Sequence, residues 1–522
     1  MAISELVAVL DGYSKAALIA GASVVSLISF VVGTTVYRIW FHPLAKIPGP
    51  KHYAASDVFG QWRASVRLNM NDHAIKLHRK YGPIVRIGPD RLAVDGNIAW
   101  PNIHGARPSR TEAEFSKVPG FFFPNDHMAL LAASRDDHRR QRRQLAHAFS
   151  TAALQEQEGI IKQYIDKLVN EMRTRAAGGE TINMVDWFNY CTFDIIGDLA
   201  FADSFHALDG DTTFVKNAFR GIVGSAYGRF LWHFPLLRVP LALILGSREF
   251  EIALEANTQN MSLGRLKGQT RISMGGEPRD SSRRDFATYM MRQDKEGNKV
   301  LSDGEIMAIS GILVIAGSET TATALSGLVF FLGQNPDKRR ILENEIRSAF
   351  TDDAEIDMTT TARLEYLNAV LEETLRMYPP ASSVPPRVSP GAEVAGHWLP
   401  RGTILHVYSA ASFRNPDHFT DSDSFHPERW LSASHPLYNP RFAADKKEAF
   451  RPFSAGPRDC IGKNLAYAKM RVITSRILYN FDLEVLPGQD DWLTKQRGEL
   501  VQIKGAIEVK PRLRASLKEG GL

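Results

Sequence analysis

Cysteine is nearly absent: the chain has two among 522 residues, Cys191 and Cys460. Two thiols cannot build the disulfide framework of a secreted scaffold, and they suit a reducing compartment. They also fall short of a structural zinc site, which takes four Cys or His ligands at set spacings. Charge of one sign is scarce as well. The 63 Lys and Arg against 58 Asp and Glu leave +5 over the whole length, with no basic or acidic tail, so no nucleic-acid partner is expected. Internal repeats and long low-complexity tracts are missing. The length allows two or three average domains or one large one.

What the N-terminus lacks is charge. The 22 residues from Ala16 to Tyr37, AALIAGASVVSLISFVVGTTVY, carry none. As a helix they span about 33 Å, enough for a hydrocarbon core of about 30 Å. A cleaved signal peptide competes, since Ala20-Gly21-Ala22 offers small residues. The stretch exceeds a usual apolar h-region, however, and no basic n-region precedes it. Glu5 and Asp11 lie before the span and Arg38, Lys46 and Lys51 after it. The basic side normally stays cytosolic, so a lumenal N-terminus and a cytosolic globule are expected. Residues 1–40 then form a lumenal stub and anchor. The sequon Asn260-Met261-Ser262 is left in the cytosol. Pro43, Pro48 and Pro50 stiffen residues 41–52, which read as a spacer between anchor and globule.

From about Asn71 helical periodicity dominates, most clearly over Leu154 to Arg175, Gly304 to Gln334 and Asp337 to Phe350. Short β-like runs stand at Ile84 to Ile87, Arg91 to Val94, Thr403 to Val407 and near Val501 to Val509. The expected class is mainly α with small β-sheets. Cys191 lies in the apolar run Trp187 to Phe193 and reads as core.

Cys460 is different. It stands in Phe453-Ser454-Ala455-Gly456-Pro457-Arg458-Asp459-Cys460-Ile461-Gly462, which fills every fixed place of F-x-x-G-x-R-x-C-x-G. Gly456 permits backbone geometry closed to other residues. Gly462 leaves room for the next helix to lie against a flat ring, Phe453 can shield a sulfur, and Arg458 is placed to meet an anion. The decamer resembles the haem-ligand loop of the cytochrome P450 superfamily. That resemblance implies haem b with Cys460 as its thiolate ligand, Arg458 on a propionate, and the P450 fold behind a single N-terminal transmembrane helix. It covers roughly Tyr53 to Arg512 within a catalytic domain of residues 53–522, and Phe41 to Pro50 looks like the proline-rich hinge of microsomal members.

Three further segments extend the resemblance. In Ala316-Gly317-Ser318-Glu319-Thr320-Thr321, glycine and β-branched residues are poor mid-helix choices. The Thr320 hydroxyl can bond the Ala316 carbonyl and bend the helix. The segment resembles the family's oxygen-activation turn, which implies proton delivery by Thr320 and Glu319. Glu373-Thr374-Leu375-Arg376, on its own an ordinary i,i+3 pair, precedes Phe425-His426-Pro427-Glu428-Arg429-Trp430. Together they resemble the E-x-x-R helix and its partner segment, with Glu373, Arg376 and Arg429 as a buried triad. His138-Arg139-Arg140-Gln141-Arg142-Arg143 stands where members carry W-x-x-x-R. That places Arg142 on a propionate and puts His138 where the family has Trp. Arg387 resembles a further propionate ligand.

The resemblance also implies a pocket built from Phe121 to His127, the Gly311 to Thr320 face, Ser382 to Val384 and the turn near Gly505. The apolar run Phe230 to Leu237 is either core or a loop dipping into the bilayer. Electrons should come from NADPH through a separate NADPH–cytochrome P450 reductase, with cytochrome b5 as a second donor, because the chain has no flavin-domain-sized extension. Arg139, Arg140, Arg143, Lys463, Lys469 and Arg471 are expected to dock the reductase. Phrases such as AGSETTATALSG resemble fungal members that oxidise secondary metabolites, trichothecene and averantin-type hydroxylases among them. The expected activity is hydroxylation or epoxidation of a lipophilic polyketide or terpenoid at the endoplasmic reticulum membrane. An oxygen-independent haem-thiolate isomerase or dehydratase, and a non-catalytic haem carrier, are the alternatives.

Overall fold

The computed structural model describes residues 15–106, 113–119, 121, 130–275 and 284–514. The first helix, α1 (Lys15–Val36), runs on through a π-turn at Tyr37–Phe41. Its apolar side chains are bare, Ile19 at 68% and Phe30 at 69% exposure, which is how a helix looks when its burial partner is not protein. Residues 42–50 do not stand off as a spacer. Leu44 and Ile47 are buried, and the Pro48 carbonyl accepts from the Arg86 N–H at 2.7 Å. A Cβ on Gly49 would lie 2.2 Å from the Arg86 carbonyl oxygen, so glycine is needed for this seating. The prolines fix a segment that is packed onto the globule.

The globule begins with α2 (Met70–Tyr81), the hairpin β1 (Ile84–Arg86) and β2 (Arg91–Val94), and the short strand β3 (Ser116–Lys117). A helical body follows: α3 (Arg135–Ala146), α4 (Thr151–Ala177), then after the short strand β4 (Ile182–Asn183) α5 (Met184–Phe201), α6 (Thr213–His233) and α7 (Ser247–Ser273). Serine caps start two of them, Ser134 accepting from the Asp137 N–H and Ser150 from the Ala153 N–H, as short polar side chains do at helix N-termini. The central helix is α8 (Asp303–Gln334), opened by a capping box of Ser302 and Glu305. It is apolar on every face, and such a helix has to be enclosed. Among the described residues it and α1 are the two helices long and apolar enough to cross a bilayer, but α8 is mostly buried inside the fold.

After α8 come α9 (Pro336–Ala349), α10 (Glu365–Met377), the strands β5 (Ser383–Val388), β6 (Ala392–Val394), β7 (His397–Leu399) and β8 (Ile404–Tyr408), and α11 (Lys463–Asn480). The chain closes with β9 (Phe481–Val485), β10 (Arg497–Gly498), β11 (Gln502–Ile503) and β12 (Glu508–Leu513). One five-stranded sheet runs β1-β2-β8-β5-β3, with β2 and β8 parallel and the other pairs antiparallel. A three-stranded sheet, β4-β12-β9, ties the C-terminus to α4 and α5. Pro385 and Pro386 have no N–H for the ladder, and the β5–β8 register breaks between Val384 and Arg387. The irregularity sets where Arg387 points.

Candidate active site

The cysteine loop is held by its backbone. Gly456 has φ +79°, and a Cβ there would stand 1.9 Å from the His104 carbonyl oxygen. The Cys460 N–H donates to the Phe453 carbonyl at 2.9 Å and closes the turn. The Phe453 ring packs 5.0 Å from that of Tyr467. Burial raises the Cys460 thiol, while the Gly462 N–H, Arg142 and Lys463 oppose the rise and favour thiolate. A Cβ on Gly462 would meet Phe149 at 3.7 Å and the Cys460 sulfur at 4.0 Å, ordinary contacts. A Cβ there would find room within the chain, and Gly462 also stands at the N-cap of the helix that follows.

Cations gather beside this loop. Arg458 donates to the Ala133 carbonyl at 2.9 Å and to Glu114 at 3.2 Å. Arg387 is buried, and its Nη1 makes a long 3.4 Å bond to the Phe115 carbonyl. Burial lowers Arg387 to about 10, with Arg458 adding to the fall. Lys117 is pushed well down by burial and by Arg387 and Arg458. Burial also lowers His138 to about 3, so its ring enters the site neutral. The buried nitrogens Arg387 Nε and His104 Nδ1 have no hydrogen-bond partner. Buried cations in excess, with orphaned donors, fit a group that brings carboxylates. A flat apolar ring with two propionates, lying against a cysteine loop, has that chemistry. The Arg142 guanidinium holds the Asp459 carbonyl at 2.6 Å and the Asp459 carboxylate, and so braces the loop.

On α8 the Thr320 hydroxyl donates to the Ala316 carbonyl at 2.6 Å, and Ala316 is exposed on the same side. Gly317 lies on another face, where a Cβ would come within 2.5 Å of Ile196 on α5. Glu319 does not share the open side with Thr320. It is 1% exposed and paired with Lys504, whose Nζ also donates to the Thr323 hydroxyl at 2.8 Å. The acid and the alcohol, neighbours in sequence, point apart because successive helical residues are turned by about 100°. Burial raises Glu319 and lowers Lys504, each partly offset by the other. Glu319 Oε2 is buried without a partner. Sequence reasoning missed Lys504, although the adjacent Gly505 turn was expected near substrate.

The triad residues come together. Arg376 bonds Glu373 through Nε at 2.9 Å and Nη2 at 2.8 Å, and Arg429 Nε lies 3.1 Å from Glu373 Oε2. All three side chains have 0% exposure. Burial alone would raise Glu373, but Arg376 and Arg429 hold it below the usual carboxylate range. Arg376 also caps the Phe413, Ser422 and Ser424 carbonyls, and Arg429 pairs with Asp445. The triad thus staples α10 to the irregular segment leading to the cysteine loop.

The expected reductase face is smaller in the structure. Lys469 is buried on α11 and donates to the Gly317 carbonyl at 2.6 Å; it props α8 and cannot meet a partner. Arg140 is engaged by Glu305 and Asp137, and Arg471 by Asn368 at 2.7 Å. Arg139, Arg143 and Lys463 remain accessible, Arg139 with Asp136 at 3.3 Å. Of the expected pocket residues, Phe121, Ser383 and Val384 line a cavity of about 270 Å³, while residues 122–127 lie outside those described. The run Phe230 to Leu237 divides: Phe230 is core, and Trp232 and Leu236 are 73% and 92% exposed.

A cysteine loop, a cationic cradle beside it and a long central helix carrying Thr320 on its open side fit a haem-thiolate protein. The chain belongs to the cytochrome P450 family, whose profile matches residues 56–511. It is 36% identical to averantin hydroxylase of Dothistroma septosporum over 524 residues, covering 98% of this chain and 94% of that one. It is 34% identical to the trichothecene C-15 hydroxylase of Fusarium sporotrichioides, covering 92% and 96%. The cytochrome P450 monooxygenase tpeC of Talaromyces stipitatus is 36% identical, with 93% of each chain covered. The protein is a cytochrome P450 monooxygenase, and its cofactor is haem with an axial cysteine thiolate.

Proposed function

We propose that this monooxygenase hydroxylates or epoxidises a lipophilic polyketide or terpenoid, with Cys460 as the axial ligand and a separate NADPH-dependent reductase as electron source. The observation that carries the haem assignment is the cationic cradle of Arg387, Arg458 and Lys117 beside the Cys460 loop. The substrate class rests on the hydroxylases this chain resembles. Haem, when bound, supplies dioxygen activation, and an axial thiolate favours O–O cleavage.

The chain's own residues then have separable tasks. Arg387, Arg458 and Lys117 bind the propionates, with His138 and His104 as neutral neighbours. Phe453, Gly456 and Gly462 shape the loop that keeps the sulfur dry. Because the Thr320 hydroxyl donates to Ala316, its lone pairs are free to accept a proton donor from the open side. Glu319 is held by Lys504 on the other face of the helix, so proton delivery from the open side falls to Thr320. Glu373, Arg376 and Arg429 fix the loop's register. Arg139, Arg143 and Lys463 steer an acidic reductase. Helix α1 anchors the catalytic domain on the cytosolic face of the endoplasmic reticulum, its N-terminus lumenal, and the bare Trp232–Leu236 edge dips into the same membrane.

The test is turnover of fungal polyketide and terpenoid intermediates by the full chain in lipid, with reductase and NADPH under labelled dioxygen. One labelled oxygen per product molecule is expected. Product formed without NADPH and dioxygen would instead identify an isomerase or dehydratase.

A further inference from the structure

Away from the cysteine loop, a cleft of about 220 Å³ opens beside the first helix. His52, Tyr53, Phe59, Trp62, Arg63 and Arg67 line it. They come from the short helices Lys51–Ala55 and Asp57–Gln61, the π-turn Trp62–Val66 and the residue after it. Aromatic rings make its walls apolar, with His52 packed 4.4 Å from Tyr53 and 5.4 Å from Phe59. Its two arginines carry charge that no acid answers among the described residues. Arg67 is exposed, and Arg63 is half-buried with only neutral partners, the Tyr53 phenol and the Asn69 amide oxygen at 3.5 Å. The local field is positive throughout: burial lowers His73 to about 4, and Arg63, Lys76 and His52 push it the same way with no acid opposing them. Asp57, the acid of this segment, is taken by Arg91.

Apolar surfaces flank the cleft on both sides. On one, α1 runs out through Trp40 and Phe41, the latter 71% exposed. Arg38 Nη1 donates to the Ala55 carbonyl at 3.0 Å and Lys51 lies 5.7 Å over the Trp40 ring, so the helix that carries His52 is seated against the end of α1. On the other, Trp62 packs 5.8 Å from Phe230 of α6, in a cluster with Phe234 and Leu237. The chain continues from there into the helix Arg238–Leu245, whose Val239, Leu243 and Ile244 are bare. A cleft bracketed by two surfaces that meet hydrocarbon stands at headgroup depth, where aromatic rings and basic side chains collect.

Folding alone does not call for this arrangement, because like charges four residues apart on helical backbone repel. The cleft's chemistry narrows what completes it. A neutral apolar ligand would leave both guanidiniums unanswered, and a small hydrated anion would leave the aromatic walls wet. An anionic amphiphile satisfies both, and guanidinium groups match phosphate oxygens well.

We propose that this cleft binds the headgroup phosphate of an anionic phospholipid, held by Arg63 and Arg67, with the glycerol and upper acyl carbons against Phe59 and Trp62. The proposal rests on the reading of α1 as a membrane anchor.

The experiment is spin-label electron paramagnetic resonance on the haem-loaded full chain in phosphatidylcholine vesicles. It reads how much of a chain-labelled phosphatidic acid or phosphatidylcholine probe the protein holds motionally restricted. Two basic groups at a membrane surface should give the native chain about a tenfold or greater preference for phosphatidic acid. The double variant Arg63→Gln, Arg67→Gln should bring that preference within about twofold of none. Lys46→Gln removes an exposed charge of the same juxtamembrane stretch outside the cleft and should leave the preference unchanged. If the double variant does not fold, Arg67→Gln alone decides, with an expected loss of about threefold or more. No preference in the native chain, an undiminished preference in the deciding variant, or an equal loss in Lys46→Gln would each overturn the proposal. So would displacement of the probe by inorganic phosphate as readily as by unlabelled phosphatidic acid. Flotation of the same samples with pure phosphatidylcholine vesicles reports the anchor separately. A chain that floats without preferring phosphatidic acid contradicts the cleft alone, and one that does not float contradicts the anchor reading as well.

Discussion

Lys117 on β3 and Arg387 on β5 are direct cross-strand partners. Two cations facing each other across an antiparallel pair repel, typically by about 0.2–1 kcal/mol, and here they are joined by Arg458 while Glu114 is the acid set against them. Such a pairing is poorly explained by stability of the chain alone. In the proposed haem site two propionates would convert the repulsion into charge-assisted hydrogen bonds.

Replacing Lys117 with Met should therefore separate folding from cofactor binding. Haem-free protein should melt slightly higher at pH 7, by the equivalent of about 0.2–1 kcal/mol. Haem affinity should fall about tenfold or more, the loss expected for one charged hydrogen bond of about 1.5–3 kcal/mol. Haem titration alongside thermal melts of the haem-free form checks both. A variant destabilised in both forms would make Lys117 an ordinary structural residue.

Lys469 yields a pH dependence. Burial lowers its amine to about 7 from an ordinary value of 10.5. Between those values the unfolded chain holds a proton that the folded chain has released, so stability rises with pH across the window. From pH 7.5 to 10 the native protein should gain melting temperature relative to Lys469→Met, each unit of depression being worth about 1.4 kcal/mol. A gap that stays constant over that range would mean the amine keeps its proton in the fold.

Thr320→Ala should fold and load haem normally, because the side chain bonds only within its own helix. Product formed per NADPH should drop about tenfold or more, with electrons diverted to peroxide or water. Measuring NADPH, peroxide and product together tests this; unchanged coupling would remove Thr320 from the proton path.

Glu373→Ala leaves Arg376 and Arg429 buried without their shared acid, at a cost of about 3–5 kcal/mol. Expression should yield little haem-loaded protein. A variant with normal haem content and normal melting would show that the pair carries no such load.

How far the sequence could be read follows from the range of each signal. Helices such as Thr151–Ala177 and Asp303–Gln334, and the short strands near Ile84, Arg91 and Ile404, are local patterns of period 3.6 and 2 and were visible in advance. Cys460 and the Glu373–Arg376 pair were legible because their partners lie within one loop or one helical turn, whereas Gly456 meets the distant His104 carbonyl and was legible only through the loop motif. Glu373 also reaches Arg429, 56 residues on, and there the family resemblance was needed. Lys504 against Glu319 spans 185 positions and Lys469 against Gly317 spans 152; no periodicity encodes such pairs. Both lysines look like surface residues by type, and only packing around α8 shows that they are not. Lys117 sits in a two-residue strand too short to register as a pattern. Pro43, Pro48 and Pro50 signalled rigidity correctly but not that Leu44 and Ile47 dock into the core.

The measurement that bears most directly on the account is the spectrum of reduced, CO-treated protein for native, Cys460→Ala and Cys191→Ala chains. Cys191 is buried in the core, and burial pushes its thiol up with Asp194 adding to the rise, which disfavours a thiolate there. The native chain and Cys191→Ala should both show the red-shifted Soret band of a thiolate-ligated haem, and Cys460→Ala should lack it. Retention of that band in Cys460→Ala, or its loss in Cys191→Ala, would contradict the assignment on which the site is built.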